Sequence, residues 1–262
     1  MNFSYENVSP VSDGSGYEES IRKLESIIST ESQNSFLSKI TEALSFDNYS
    51  ICICSPVSLV YPNLIVDTNH SQEWDIKYKK EKFYLVDPTL HYSISKALPV
   101  RWDDLENMHE YQEKHYKDYL TLAKCSGQVS GITFPFISDS KDYIHLNLSS
   151  NGSYKEMEEA IKKALVLVPW LSASIFEKAR QLKVNHAKTE RDIKLTKREK
   201  ECLFWACEGK TAWEISKIVK ISESTTNFHL KNSVQKLNAK SRQHAVAKAL
   251  MFGIVKPDLT TQ

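Results

Sequence analysis

Twenty-two residues, Thr211 to Asn232 (TAWEISKIVKISESTTNFHLKN), constrain this chain more than any other stretch. Helical spacing sets Ile215, Ile218 and Val219 on one side of a short helix over Ala212–Val219. A two-residue connection, Lys220-Ile221, follows with Ile221 pointing inward, and the Ser222 hydroxyl can cap the next helix. That second helix carries one inward stripe: Thr226, Leu230, Val234 and Leu237. Its other faces carry Thr225, Asn227, His229, Lys231, Asn232 and Gln235, whose donors and acceptors suit base edges and phosphates. Two amphipathic helices across a tight turn, with a polar and non-acidic outer face, form a helix-turn-helix pattern. On spacing alone, an ordinary helical hairpin with a solvated face fits as well.

Charge favours the first reading. From 194 onward, 13 Lys and Arg stand against six Asp and Glu, a balance of +7; residues 1–193 hold 21 against 27, a balance of −6, and the two give the chain its +1. A basic tail on an acidic body is expected when only the tail meets nucleic acid. The 262 residues have room for two domains, and no apolar run approaches a membrane span. The opening, MNFSYENVSPVSDGSG, has neither a basic nor an apolar signal segment, so the expected location is cytoplasmic. Five cysteines, at 52, 54, 125, 202 and 207, are an odd number without C-x-x-C spacing. They read as small buried hydrophobes in a reducing compartment, with no disulfide framework or metal site.

In chain order, the polar residues 1–16 read as a flexible tail. The body, 17–181, begins with a helix from Tyr17 that turns Ile21, Leu24, Ile27 and Ile28 inward. A second helix, Gln33 to Leu44, turns in Phe36, Leu37, Ile40 and Leu44. Strands follow at Tyr49–Cys54 and Leu64–Thr68, around a loop bracketed by Pro56 and Pro62. Residues 71–80 read as a helix, Pro88 opens another to about Lys96, Pro99–Trp102 is a short extended piece, and Met108–Ala123 is a helix. Gln128–Phe136 and Tyr143–Ser149 form a hairpin turning at Asp139-Ser-Lys. A long helix, Lys155 to Gln181, carries the stripe Ile161, Leu165, Val168, Leu171 and Ile175, and Pro169 must kink or break it. This order suits an antiparallel sheet with helices on both sides.

Residues 182–193 lose the apolar rhythm and read as a linker. In the last domain, 194–258, a capping box (Thr196-Lys-Arg-Glu199) opens a helix to about Glu208, which Gly209 ends. The helix-turn-helix follows, then a fourth helix from Arg242 to Phe252. The fold class is α+β, with an all-α four-helix domain at the C-terminus.

Within the body, Trp74, Tyr78, Asp87 and Trp102 place two indoles, a phenol and a carboxylate within thirty residues. Such a set could line a small-molecule pocket, mostly apolar with a few orienting polar groups. The plainer reading is that the aromatics are core and Asp87, before Pro88, is a helix cap.

The tail, LTKREKECLFWACEGK and onward to GIV, closely resembles the DNA-binding domain of the LuxR family. Thr196, Arg198, Glu199, Leu203, Gly209, Thr211, Glu214, Ile215, His229, Lys236 and Leu237 stand in the matching places. In the body, the W-x3-Y pair Trp74/Tyr78, then Asp87-Pro88, Trp102 and Gly131, resembles the acyl-homoserine-lactone-binding domain of quorum-sensing LuxR-type regulators. The resemblance covers roughly residues 20 to 255. It implies that the body is an α-β-α sandwich on a five-stranded antiparallel sheet, with the lactone between the sheet and one helical layer. The lactone is a signal ligand, and no cofactor is implied. By the same resemblance, Trp74 would donate to the lactone carbonyl, Asp87 would accept the amide N–H, Tyr78 would donate to the acyl carbonyl and Trp102 would pack over the lactone ring. Thr89 joins this set.

Two positions depart from the family. Asn147 stands where members often carry Ser or Thr, and His70 where many carry Tyr. Both lie where the acyl chain would leave the amide, so they bear on chain length and 3-substituent. In the tail, Thr226 replaces the usual Val, and its hydroxyl can bond a carbonyl one turn back.

The resemblance further implies that the second helix of the motif enters the major groove. Asn227 and Lys231 would reach base edges, while Thr225, His229, Trp205, Lys210 and Thr211 would contact phosphates or the helix N-terminus region. The plainer reading of His229 is packing at the helix edge. Such proteins bind inverted repeats as homodimers; the helix Lys155–Gln181 would be the dimer surface, with RNA polymerase a further partner and no membrane involved. The function implied is a ligand-responsive transcriptional regulator of quorum sensing. The alternative is a regulator of the same fold that answers to a different small molecule or a protein partner. No nucleophile elbow, phosphate loop or metal-spaced histidines suggest an enzyme.

Overall fold

The computed structural model describes residues 15–30, 35–55, 63–138, 142–186 and 194–256. The expected tail before residue 15, the loop from Pro56 to Pro62, the turn Asp139–Lys141 and residues 187–193 of the expected linker lie outside these. Among the described residues no helix is long and apolar enough to cross a membrane.

The body opens with α1 (Ser15–Thr30) and α2 (Phe36–Ala43). All four expected inward residues around α2 are buried; in α1, Leu24 and Ile27 are buried while Ile28 is exposed at the edge of the stripe. Five strands, β1 (Asn48–Ser55), β2 (Asn63–Thr68), β3 (Val100–Arg101), β4 (Ser130–Ile137) and β5 (Tyr143–Ser150), pair in the order β2-β1-β5-β4-β3. Strand β3 runs antiparallel to β4, with Val100 opposite Thr133 and Arg101 opposite Ile132. Residues 51–55, 130–135 and 144–150 are buried without alternation. Both faces of these strands are therefore covered, as in a sheet between two helical layers. The body is an α-β-α sandwich on an antiparallel sheet.

Local chemistry sets the helices around the site. Ser71 starts α3 (Gln72–Lys80) by accepting the Trp74 N–H at 3.2 Å. Asp87 starts α4 (Pro88–Ser95), with Pro88 where its missing N–H costs no helix bond. Trp102 opens α5 (Trp102–Asn107), a helix its sequence did not announce.

The helix expected from Met108 to Ala123 is instead a 3-10 turn at His109–Tyr111, followed by α6 (Lys114–Cys125). Here tertiary packing overrides propensity. Tyr111 is buried with Tyr92, Val100 and Leu105, and the Gln112 amide closes the turn on the carbonyls of Glu106 (2.7 Å) and Met108 (3.0 Å).

The long helix is two, α7 (Tyr154–Trp170) and α8 (Ser172–His186), which part at Leu171, two residues past Pro169. Its stripe is also corrected: Ala164 packs inward between Ile161 and Val168, while Leu165 is exposed. Helix α8 runs five residues into the segment expected as linker, to His186.

The C-terminal domain, described by itself, comprises α9 (Lys197–Cys207), α10 (Ala212–Val219), α11 (Glu223–Lys236) and α12 (Arg242–Met251). Capping boxes at Thr196/Glu199 and Thr211/Glu214 start α9 and α10, and Ser222 caps α11. Gly209 ends α9's turn at φ +77°. The core joins Cys202, Ala206, Ile215, Val219 and Leu230, with Ile221 packed against it. Ile218, expected inward, is exposed, because α10 buries Ala212, Ile215, Ser216 and Val219 instead. Glu199, buried at the head of α9, pairs with Lys236 of α11 at 2.8 Å.

Candidate ligand pocket and DNA-binding surface

Helix α3 carries Trp74 and Tyr78 four residues apart, on one face. That face meets Tyr119 of α6 in an aromatic cluster, with Trp74 and Tyr119 ring centroids 6.3 Å apart. Behind the cluster lies a cavity of about 430 Å3, partly open to solvent, which Trp74, Tyr78, Asp87, His70 and Asn147 all line. A second cavity, of about 330 Å3, is lined by Trp102 and Thr89 and shares Tyr119, Gln128 and Asn147 with the first. The seven pocket residues expected from the sequence thus line two neighbouring hollows that share three of their lining residues.

Five of these side chains, joined through Thr133, form one continuous hydrogen-bonded chain. The Trp102 indole N–H donates to Thr133 Oγ1 at 2.8 Å, which donates to Asn147 Oδ1 at 2.7 Å. Asn147 Nδ2 donates to Thr89 Oγ1 at 3.2 Å, which donates to Asp87 Oδ1 at 2.7 Å. The other Asp87 oxygen accepts from the Tyr78 hydroxyl at 2.9 Å. Asp87 is therefore both the helix cap of the plainer reading and a pocket residue, since Oδ1 also accepts the Thr89 N–H at 2.9 Å. Burial, with Asp87 alongside, pushes the Tyr78 and Tyr119 phenols well above their ordinary range, so both are neutral hydroxyls. Gly131 lets the chain close: an added Cβ would lie 2.8 Å from the Leu148 carbonyl oxygen and 2.8 Å from the Trp102 ring.

Four residues of this site, Tyr119, Gln128, Thr133 and His145, escaped the sequence reading. Alternation in β5 was the available signal, because it places His145 on the same side as Asn147.

In the C-terminal domain, Thr225, Asn227 and Lys231 are exposed on α11, and His229 is half-buried with its ring 5.7 Å from that of Phe228. Thr226 is fully buried and its hydroxyl donates to the Ser222 carbonyl, one turn back, at 3.1 Å. Thr225 adds its hydroxyl to the Ser222 cap at 2.7 Å. Thr211 caps α10, the Lys210 carbonyl accepts from Arg242 at 2.6 Å, and Trp205 packs half-buried beside the core. These last three sit off α11, beside the start of α10.

Residues 29–179 match the family model of the autoinducer binding domain, and residues 194–249 that of the bacterial regulatory proteins of the luxR family. The transcriptional activator protein LuxR of Aliivibrio fischeri is 31% identical over 235 residues, spanning 90% of this chain and 92% of that one. The chain belongs to the LuxR family of autoinducer-binding transcriptional regulators. Its fold is that of Escherichia coli SdiA, with a TM-score of 0.68 at 24% identity over 92% of this chain and 99% of that one. SdiA has also been solved in complex with octanoyl-rac-glycerol, with the same TM-score, 23% identity and coverage of 94% and 99%.

The pocket of this LuxR-family body has a calculable acid response. Burial holds the His145 pKa down to about 4, against the opposing pull of Asp87, and burial likewise holds His70 to about 4. Both lie below the ordinary 6.5, so between about pH 4 and 6.5 the unfolded chain binds more protons than the folded one. Their contribution to stability is complete above 6.5 and is lost as pH falls toward 4. From pH 7 to pH 5, His145 alone should account for a loss of about 2 kcal/mol. Denaturant midpoints at both pH values should show a smaller drop for His145→Leu than for wild type; equal drops would assign the titration to other groups.

Proposed function

We propose that this regulator binds an N-acyl-homoserine lactone in its body and an inverted-repeat operator as a homodimer, with lactone occupancy setting DNA affinity. The observation that carries the reading is the buried chain from Trp102 to Asp87 and Tyr78, which fixes a carboxylate at the wall of the cavity. A buried carboxylate favours a ligand that brings an N–H donor, and the lactone's amide supplies one. In this reading Trp74 donates to the lactone carbonyl, Asp87 accepts the amide, Trp102 covers the lactone ring, and Thr89 holds the carboxylate in place. Tyr78 shares its hydroxyl between Asp87 and the acyl carbonyl. Exposed Leu165, Val166 and Trp170 on α7 support the dimer surface assigned to that helix.

The test is a thermal melt of the full chain against lactones of graded acyl length, with octanoyl-rac-glycerol as the competing polar head. A cognate lactone at a hundred times its Kd stabilises by about 2.7 kcal/mol. A melting temperature that peaks at one acyl length supports the reading. A rise with the glycerol ester alone would replace the lactone by another acylated head group.

For DNA, Asn227 and Lys231 are assigned to base edges, and Thr225, His229, Trp205, Lys210 and Thr211 to the phosphate side. Asn227→Ala and Lys231→Ala should each cost about 1–3 kcal/mol on a duplex enriched by the wild-type protein, and relax the preference at one base pair per half-site. A uniform loss across all sequences, with a salt slope reduced by about one, would move that residue to the phosphate set.

A further inference from the structure

The satisfied chain accounts for only part of the cavity's polarity. Strand alternation puts His145 beside Asn147 on one side of β5, and Gln128 lies between α6 and β4; all three line the larger cavity. His145 is 2% exposed and Gln128 7%, yet His145 Nδ1 and Gln128 Nε2 have no hydrogen-bond partner. Asn147, by contrast, has its amide oxygen and nitrogen both engaged. An all-methylene chain laid against these two nitrogens would leave both unsatisfied, and this is costly for buried polar groups. We infer that His145 and Gln128 form a second polar station that selects lactones carrying an oxygen on C3 of the acyl chain.

The inference rests on the lactone reading above. The His145 ring lies within electrostatic reach of Asp87. If Asp87 takes the ligand's amide N–H, the first acyl carbons pass beside His145, and C3 is the carbon next beyond the one adjoining the carbonyl. An oxygen there accepts from the Gln128 amide. The His145 ring, neutral at pH 7, offers one N–H and one lone pair. It can therefore donate to a 3-oxo group, and either donate to or accept from a 3-hydroxyl.

The experiment uses the full-length protein and three lactones, unsubstituted, 3-oxo and 3-hydroxy, each compared at every acyl length of the graded series. Wild type should bind at least one oxygenated form ten times more tightly than the unsubstituted one, which is about 1.4 kcal/mol. His145→Leu and Gln128→Met should bring that ratio within about threefold, chiefly by tightening the unsubstituted lactone. Unsubstituted binding as tight as oxygenated binding in wild type overturns the station and leaves the lactone reading standing. A ratio that survives both substitutions also overturns it. Should one variant fail to melt cooperatively, the wild-type ratio and the other variant decide. Folded wild type that binds none of the three removes the lactone reading, and the station with it.

Discussion

Asp87→Ala should cost the body about 3–5 kcal/mol and abolish its ligand response, whereas Asp87→Asn should largely keep the fold and still lose the ligand. The carboxylate is 3% exposed and serves three donors: the Thr89 N–H, the Thr89 hydroxyl and the Tyr78 hydroxyl. Alanine removes the N-cap of α4, worth about 1 kcal/mol. It also strands buried donors, at about 1–3 kcal/mol each before relaxation. A domain with roughly 5–15 kcal/mol in hand survives this only in part, so the alanine variant alone cannot separate folding from recognition.

Asparagine does separate them. Its oxygen can keep both Thr89 bonds, and the Tyr78 hydroxyl can turn from donor to acceptor toward the new amide N–H. The ligand's own N–H then meets a donor where it needs an acceptor. Urea midpoints should place the asparagine variant within about 2 kcal/mol of wild type, while lactone-dependent melting and transcription disappear. Normal activation by lactone in Asp87→Asn would remove Asp87 from the ligand set.

The sequence was most legible where the signal is short-range. Thr196 with Glu199 and Thr211 with Glu214 each place a hydroxyl and a carboxylate three residues apart, and both boxes start helices where expected. The Trp74/Tyr78 spacing and the Asp87-Pro88 step likewise fix the pocket wall from local pattern. The rest depends on long-range contact. Asn147 reaches Thr89 across 58 residues, and Trp102 reaches Thr133 across 31. No periodicity encodes such pairs, so the chain that unites the pocket emerged only from the folded sheet. The helix expected at Met108–Ala123 failed for the same reason: burial of Tyr111 outweighed a helix-forming stretch. Leu165 and Ile218 show the limit of stripe reading, where a smaller neighbour, Ala164 or Ser216, takes the inward place of a larger residue.

Gly131→Ala should destabilise the body by about 2–4 kcal/mol and greatly weaken autoinducer binding, although it adds a single methyl group. The added carbon would lie 2.8 Å from the Leu148 carbonyl oxygen on one side and 2.8 Å from two Trp102 ring carbons on the other. Neither neighbour yields freely. Leu148 belongs to β5, beside β4 in the sheet, and the buried indole is held by its bond to Thr133. Overpacking of this kind costs about 1–3 kcal/mol, and displacing the indole also breaks the first link of the chain to Asn147, worth about 1 kcal/mol more. A double-mutant cycle with Trp102→Phe apportions the cost. The smaller ring relieves one contact and leaves the carbonyl contact in place, so Gly131→Ala should cost at least about 1 kcal/mol less in the Trp102→Phe background, beyond the additivity expected of independent sites. Strict additivity would mean that the strand backbone takes the whole strain, and Gly131 would then keep β4 and β5 together without any part in seating the Trp102 indole.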